Sequence, residues 1–193
     1  MEQPEREWLA QYRQGQVEAL GRLVEHYRRP LYGFILRMTA SATEADDVFQ
    51  EVWFRAIRHL DSYREKRFLS WLFRIAHNLV IDRARRARPL VEMPANDEQR
   101  TPWEERIPAS GPGPDRLSEG RDLGPRIAAA LAALPAEQRA VFVMRMEGDL
   151  PFKEIARIQR TSINTALARM QYALAKLRKE LRQDYEDFAR TRT

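Results

Sequence analysis

A stretch rich in proline and glycine divides this chain of 193 residues into two parts. Between residues 89 and 124 it holds six prolines and four glycines, and the apolar periodicity of the flanking segments stops there. Proline removes a backbone donor and glycine adds conformational freedom, so such a stretch does not support a regular element. Structureless loops of this length are also uncommon within one domain. We therefore interpret residues 89–123 as a flexible linker between a domain at 1–88 and another at 124–184.

The charge distribution follows the same division. The chain has 33 basic and 28 acidic residues, a net charge of +5, with an isoelectric point near 9.8. Residues 1–88 have a net charge of +4, residues 89–123 of −4, and residues 124–193 of +5. Two basic parts flank an acidic middle, which is typical of domains that bind a polyanion.

Both flanking parts show the spacing of amphipathic helices, because apolar residues recur three or four positions apart. Pro4 can begin a short first helix, and we expect Pro30 to end a second helix and begin a third. Thr43 and Asp46 resemble a capping box for a helix that runs to about Leu60. The remaining predicted helices cover residues 68–88, 124–134, 135–147, 152–159 and 162–184.

The predicted fold is all-α, with two small helical domains joined by the linker. Residues 185–193 carry charge on most positions, and we expect this tail to fray. No apolar run approaches the roughly 20 residues that span a bilayer, and the acidic N-terminus does not resemble a signal peptide. We therefore expect a cytoplasmic protein that does not insert into a membrane.

Residues 152–169 have the outline of a helix-turn-helix: a short helix, a tight break at 159–161, and a longer basic helix that Ser162 can cap. In such modules the first turns of the second helix enter the major groove. The candidate contacts are Ser162, Asn164, Thr165, Ala168 and Arg169. A plain helical hairpin with a solvated basic face remains an alternative.

Aromatic and basic residues cluster around the predicted helix at 68–88. Basic groups track phosphates, and aromatic faces can stack on unpaired bases, so this combination suits a protein that handles melted DNA. We expect Trp53 and Phe73 to lie in the core, whereas Trp71 could either support the core or contact DNA. The arginines at 83–88 could instead be a solvated helix end. The candidates are Tyr63, Phe68, Trp71, Arg74, Asn78, Arg83, Arg85 and Arg86.

Three groups of residues, in order, resemble one family. The segment Ala45–Ala56 is similar to the stretch by which sigma factors dock on RNA polymerase, and Phe68–Asn78 to their promoter-melting, minus-ten-reading segment. Leu134–Phe142, with the helix-turn-helix after it, is similar to the domain that reads the minus-thirty-five element. Together they resemble the small, two-domain extracytoplasmic-function (ECF) bacterial sigma factors.

The resemblance implies roles for individual positions. Asp47, Gln50 and Glu51 match residues that contact the clamp helices of the polymerase's large subunit. Asn78 matches a residue that helps to read a flipped minus-ten base, and residues 63–67 match the loop that pockets this base. The minus-thirty-five contacts would be Arg160, Ser162, Asn164, Thr165 and Arg169. Binding free energy, rather than ATP hydrolysis, would drive melting.

Several residues depart from the family pattern. The loop before Phe68 is about one residue shorter than the common form. Arg160 stands at a turn position that is often glycine, which can cost about 1 kcal/mol if the backbone is left-handed there. Asn164 and Leu167 stand where glycine and lysine are frequent, so one expected DNA contact is missing. Pro151 replaces a frequent serine cap.

The competing class, an enzyme, has little support in the sequence. It has no cysteine, its three histidines are scattered, and it shows no phosphate-binding loop and no cluster of metal ligands, so we expect no catalytic residue, metal or cofactor. A free helix-turn-helix regulator is the remaining alternative, but such a protein has no need of the segment at Asp47–Glu51. The resemblance implies core RNA polymerase, promoter DNA and an anti-sigma factor as partners, with a monomer when polymerase is absent. The acidic linker could occupy nucleic-acid channels of the polymerase or serve as a passive tether.

Overall fold

The computed structural model describes residues 4–60, 63, 67–86 and 123–182. Within these ranges the chain forms eight α-helices and no strand. The N-terminal domain holds α1 (Pro4–Arg13), α2 (Glu18–Met38), α3 (Ala42–Arg58) and α4 (Phe68–Arg86). The C-terminal domain holds α5 (Leu123–Ala132), α6 (Ala136–Gly148), α7 (Phe152–Ile158) and α8 (Ile163–Glu180). The all-α prediction is confirmed; the predicted linker, except Leu123, and the predicted tail at 185–193 lie outside the described residues.

Pro30 does not end a helix, contrary to the expectation from the sequence. It lies inside α2, which runs unbroken from Glu18 to Met38. Proline in a helix interior loses one backbone hydrogen bond and crowds the preceding turn. Here the buried residues Tyr27, Leu31 and Phe34 continue one apolar stripe across the proline. Tertiary packing along this stripe outweighs the local cost of the proline.

The cap of α3 also differs from the prediction. Its N-cap is Ser41, whose Oγ accepts a hydrogen bond from the backbone N–H of Glu44 at 3.1 Å. The Glu44 carboxylate in turn accepts the backbone N–H of Ala40 at 3.0 Å. This is a variant of the capping box in which Glu44 accepts the N–H one residue before the N-cap, and it lies two residues before the predicted pair Thr43 and Asp46. Asp46 instead accepts a hydrogen bond from the hydroxyl of Tyr32 at 2.8 Å.

The two domains pack directly against each other, which the sequence does not predict. Helix α6 lies against α2 and α4, and α7 lies against α4. One hydrophobic core therefore runs from the N-terminal helices into α6, α7 and the start of α8. A second, smaller cluster joins α5 to α8 through Leu131, Leu134 and Leu177. We call the contact of α6 and α7 with α2 and α4 the interdomain seam.

Phe73 lies at a close approach across this seam. Its ring is fully buried and meets Phe34 edge-on, with 5.0 Å between ring centroids. A Cβ built on Gly148 would lie only 2.8 Å from the Phe73 ring, so glycine permits the end of α6 to come this close. Trp53 is buried as well, so the prediction that Trp53 and Phe73 lie in the core is confirmed. Among the described helices, none has the length and apolar character needed to cross a membrane.

Candidate polymerase and nucleic-acid interfaces

Helix α3 presents the acidic and amide residues predicted to meet polymerase. Its buried face, which includes Val48 and Val52, packs toward the core. Asp47 and Gln50 are exposed and Glu51 is half-buried, and their spacing of three and four residues gives them one face. The Glu51 carboxylate also accepts a hydrogen bond from Arg55 Nε at 2.7 Å. This leaves a polar surface with little role in packing.

Phe54 extends this surface and was missed by the sequence reasoning. It lies seven residues after Asp47, hence two turns further along the same face. Its side chain is 56% exposed, and the guanidinium of Arg58 lies 5.4 Å from its ring centroid. A large exposed aromatic ring beside acidic groups is typical of a protein-binding surface. The sequence could have indicated Phe54, because it is an aromatic residue on the polar face of α3, opposite the apolar stripe.

The aromatic residues at the start of α4 form a stack. Tyr63 is half-buried, and its ring centroid lies 5.2 Å from that of Phe68 and 5.0 Å from that of Trp71. Phe68 is only 1% exposed and Trp71 is 8% exposed. In this arrangement Phe68 belongs to the core, and its ring packs against that of Tyr63. The rest of the predicted base-capturing loop, apart from Tyr63 and Arg67, lies outside the described residues.

Further along α4, the polar residues predicted to contact the minus-ten element differ in how deeply they are buried. Arg74, Asn78 and Arg83 are half-buried, whereas Arg85 and Arg86 near the helix end are exposed. His77, next to Asn78, is buried, and its Nε2 lies 3.3 Å from Oε2 of Glu137 on α6. The other ring nitrogen of His77 has no hydrogen-bond partner among the described residues. The helix that carries the minus-ten candidates is thus tied to the C-terminal domain.

Helices α7 and α8 form the predicted helix-turn-helix. The turn is completed by Arg160, whose backbone has a φ of +53°, the left-handed conformation expected where glycine is frequent. Ser162 caps α8, as predicted: its Oγ accepts the backbone N–H of Thr165 at 3.0 Å. The Ser162 and Thr165 hydroxyls also lie 2.8 Å apart, in hydrogen-bonding contact. Arg160 and Asn164 are exposed.

Arg169 is held inside the domain by a polar network. Its guanidinium donates a hydrogen bond to Oε1 of Gln159 at 2.7 Å and lies 3.5 Å from the Glu137 carboxylate. The Gln159 amide donates to both the backbone oxygen and the carboxylate of Glu137, each at 2.9 Å. Glu137 therefore links the turn of the helix-turn-helix, helix α8 and, through His77, helix α4.

The electrostatics of Glu137 reflect this position. Burial acts to raise the pKa of its carboxyl group, but the hydrogen bond from His77 opposes this. The positive charges of His77, Arg169 and Arg85 lower it further, so the net pKa lies below the ordinary value. Sequence reasoning did not single out Glu137 or Gln159, because nothing local distinguishes them from surface residues of an amphipathic helix.

The structure thus brings the predicted residues together in three groups. The polymerase candidates share one face of α3, the minus-ten candidates follow α4, and the minus-thirty-five candidates gather at the turn and the first turns of α8. Arg85 and Arg169, from different groups, both act on Glu137.

Comparison with known proteins identifies the family. Residues 23–89 match the model of Sigma-70 region 2, and residues 125–177 match that of Sigma-70 region 4. The ECF RNA polymerase sigma factor SigW of Bacillus subtilis is 32% identical over 178 residues, which cover 90% of this chain and 95% of SigW. SigL of Mycobacterium tuberculosis is 32% identical over 165 residues, covering 83% and 88% of the two chains.

Solved structures share the fold. A complex of the sigma factor RpoE with the anti-sigma factor NepR from Bartonella quintana aligns with a TM-score of 0.61 at 20% identity, over 84% of this chain and 96% of that one. CnrH, in complex with the cytosolic domain of CnrY, aligns with a TM-score of 0.65 at 24% identity, over 93% and 98%. The family matches confirm the resemblance drawn from the sequence. The chain belongs to the ECF sigma factors, non-enzymatic subunits that direct RNA polymerase in promoter recognition and transcription initiation.

Proposed function

We propose that this sigma factor divides its work among three surfaces. The exposed face of α3, with Asp47, Gln50 and Glu51, docks on core polymerase. The domain at residues 1–88 uses α4 to read and melt the minus-ten element, and the domain at 124–184 uses α7 and α8 to read the minus-thirty-five element. Residues 89–123 connect the two domains, and 185–193 form a tail.

The observation that carries the docking assignment is the exposure of Asp47 and Gln50 opposite a fully buried apolar stripe. Acidic and amide groups that serve no packing purpose suit a basic partner surface. Phe54 adds an exposed ring that gains favourable free energy only when a partner covers it. A free DNA-binding regulator would have no use for an acidic surface of this kind, since DNA repels it.

For the minus-ten element, we assign base capture to Tyr63 and Asn78. An aromatic ring can stack on an extruded base, and an amide can pair with a base edge. Arg74, Arg83, Arg85 and Arg86 would follow the phosphates along α4. Trp71 and Phe68 would hold Tyr63 in place, since their rings lie against it. Extruding a base costs a few kcal/mol, which these contacts offset without a chemical reaction.

Partners and compartment follow from the same proposal. The protein works in the cytoplasm as a monomer until it joins polymerase. An anti-sigma factor is a further expected partner, since RpoE in the structure above is bound to the anti-sigma factor NepR and CnrH is bound to the cytosolic domain of CnrY.

The test of docking is a charge reversal on α3. Asp47→Lys should weaken binding to core polymerase at least tenfold, because it places a cation against a basic surface. Glu180→Lys, an equal charge change at an exposed site on α8, serves as the matched control. Affinity for core polymerase is measured by fluorescence anisotropy, and start sites by sequencing transcript 5′ ends.

Asn78→Ala should retain core binding but lose discrete start sites, since it removes a base contact and not the docking face. Equal affinities for the Asp47→Lys and Glu180→Lys proteins would contradict the docking assignment. Start sites that are unchanged in Asn78→Ala would contradict the minus-ten assignment.

A further inference from the structure

The first two turns of α8 expose apolar side chains where a DNA-reading helix is usually polar. Ile163 is 45% exposed and Leu167 is 38% exposed. They are four residues apart and therefore neighbours on one side of the helix. The buried side of α8 is carried by other residues, namely Ala166, Ala173 and Leu177.

The polar groups of the same two turns are largely engaged within the protein. Ser162 and Thr165 bond to each other in the helix cap. Arg169 is held by Gln159 and Glu137. The outward surface near the N-terminus of α8 thus places the Asn164 amide beside two aliphatic side chains, while the exposed Ser162 and Thr165 hydroxyls bond to each other.

An exposed Ile or Leu alone would need no explanation, since isolated apolar residues are common on protein surfaces. Two adjacent ones on a recognition helix are different, because the first turns of that helix face base edges in the major groove. The apolar group that a base presents there is the C5-methyl of thymine. A lysine at such a position would instead bind a guanine edge or a phosphate.

We propose that Ile163 and Leu167 read thymine methyl groups in the minus-thirty-five element. Asn164, between them in sequence, can pair with the edge of a neighbouring adenine. This inference rests on the proposed role of α7 and α8 as the minus-thirty-five reader. It assigns the specificity of this chain to hydrophobic contact at the very position where Leu167 stands in place of a lysine.

The experiment replaces thymine by deoxyuridine, which removes only the methyl group. A promoter found by mapping transcript 5′ ends is synthesised with deoxyuridine at each thymine of the minus-thirty-five element in turn. Binding of the holoenzyme to each duplex is then measured. At one or two positions the wild-type affinity should fall about fourfold, the effect of losing one buried methyl group.

The variants Ile163→Ala and Leu167→Ala should each bind the thymine promoter more weakly and lose the penalty at their own position. Met146→Ala removes a more exposed apolar side chain elsewhere in the same domain and should keep the full penalty. Because Ile163 and Leu167 are partly exposed, circular dichroism should show an unchanged fold in both variants.

The inference would be overturned if no deoxyuridine replacement weakened binding of the wild-type protein, or if the minus-thirty-five element contained no thymine. In either case, discrete start sites would still support the proposed function. If Leu167→Ala weakened core polymerase or anti-sigma binding and left the deoxyuridine penalty intact, the surface would belong to a protein partner instead. Absence of any start site with wild-type protein would instead count against the proposed function itself.

Discussion

Glu137 is shared between side chains of both domains. Its carboxylate lies 3.3 Å from His77 on α4 and 3.5 Å from Arg169 on α8, and it accepts the Gln159 amide at 2.9 Å. A carboxylate in such surroundings is favoured in its charged form, since its neighbours can donate hydrogen bonds to it. The residue therefore connects the helix assigned to the minus-ten element with the helix assigned to the minus-thirty-five element.

We predict that Glu137 makes the free energy of unfolding depend on acid pH. Because its folded-state pKa lies below the ordinary value of 4.5, the unfolded chain binds more protons at acid pH, and stability rises with pH there. This contribution is complete above pH 4.5 and is lost as the pH falls through the lowered value. Glu137→Gln should remove it, costing about 1 kcal/mol at neutral pH. Urea unfolding between pH 6 and pH 3 measures the difference.

Glu180→Gln, at an exposed site near the end of α8, provides the control and should keep the wild-type pH dependence. Parallel curves for the wild-type and Glu137→Gln proteins across this range would contradict the predicted pH dependence, since the slope with pH would then owe nothing to Glu137.

At the scale of elements, side-chain caps define where two of the helices begin. Two serines, Ser41 and Ser162, cap α3 and α8 through hydrogen bonds of 3.1 Å and 3.0 Å. Ser162 was predicted from the sequence, whereas Ser41 was passed over in favour of Thr43. Several candidate caps stand close together before α3, and only the backbone conformation decides between them, because an N-cap residue must be extended while its successors are helical.

We predict that Ser41→Ala lowers the free energy of unfolding by about 1 kcal/mol, since it removes the acceptor for the Glu44 N–H. Thr43→Ala should change it by less than about 0.5 kcal/mol, because Thr43 lies exposed inside the first turn. Urea unfolding monitored by circular dichroism compares the two variants. A larger loss for Thr43→Ala than for Ser41→Ala would return the cap to its position predicted from the sequence.

At the scale of the whole molecule, the packed arrangement sets a limit on promoter binding. A folded chain of this length is roughly 40 Å across. The minus-ten and minus-thirty-five elements are about 25 base pairs apart, or roughly 85 Å of DNA. If the two domains read these elements as proposed, the packed arrangement cannot reach both at once, and the interdomain seam would have to open. Residues 87–122 suffice for this separation, since such a segment reaches up to about 120 Å when extended.

We predict that locking the seam blocks initiation. Arg37 on α2 and Glu147 on α6 form an ion pair across it, with 3.0 Å between Nη1 and Oε1. The chain has no cysteine, so a double replacement of this pair by cysteine gives a unique site for a short bismaleimide cross-link. The cross-linked protein should produce at least tenfold fewer transcripts from a promoter that depends on its minus-thirty-five element. Run-off transcription with core polymerase measures this.

A cross-link inside one domain controls for the chemistry. Gln11 and Arg22 are joined by a hydrogen bond of 2.8 Å between α1 and α2, and cysteines at these positions should leave transcription unchanged after cross-linking. Full activity of the protein locked between Arg37→Cys and Glu147→Cys would mean that the seam remains closed during initiation.

The sequence by itself determined the helical class, the position of most helices and the family. These properties depend on local periodicity and on short motifs, such as the apolar stripe of α3 and the polar residues opposite it. The errors were local conflicts: Pro30 is a strong helix breaker by propensity, but the stripe formed by Tyr27, Leu31 and Phe34 is buried and overrides it.

Only the tertiary structure decided which side chains meet. Nothing in the sequence links His77 to Glu137, or Arg169 to Gln159, because side-chain contacts between helices depend on how whole elements pack. The same packing buried Phe68, engaged Arg169 and left Ile163 and Leu167 exposed on the recognition helix. Periodicity specifies which face of a helix is apolar, whereas the partner of each face is fixed by how the eight described helices pack into the main core and the smaller α5–α8 cluster.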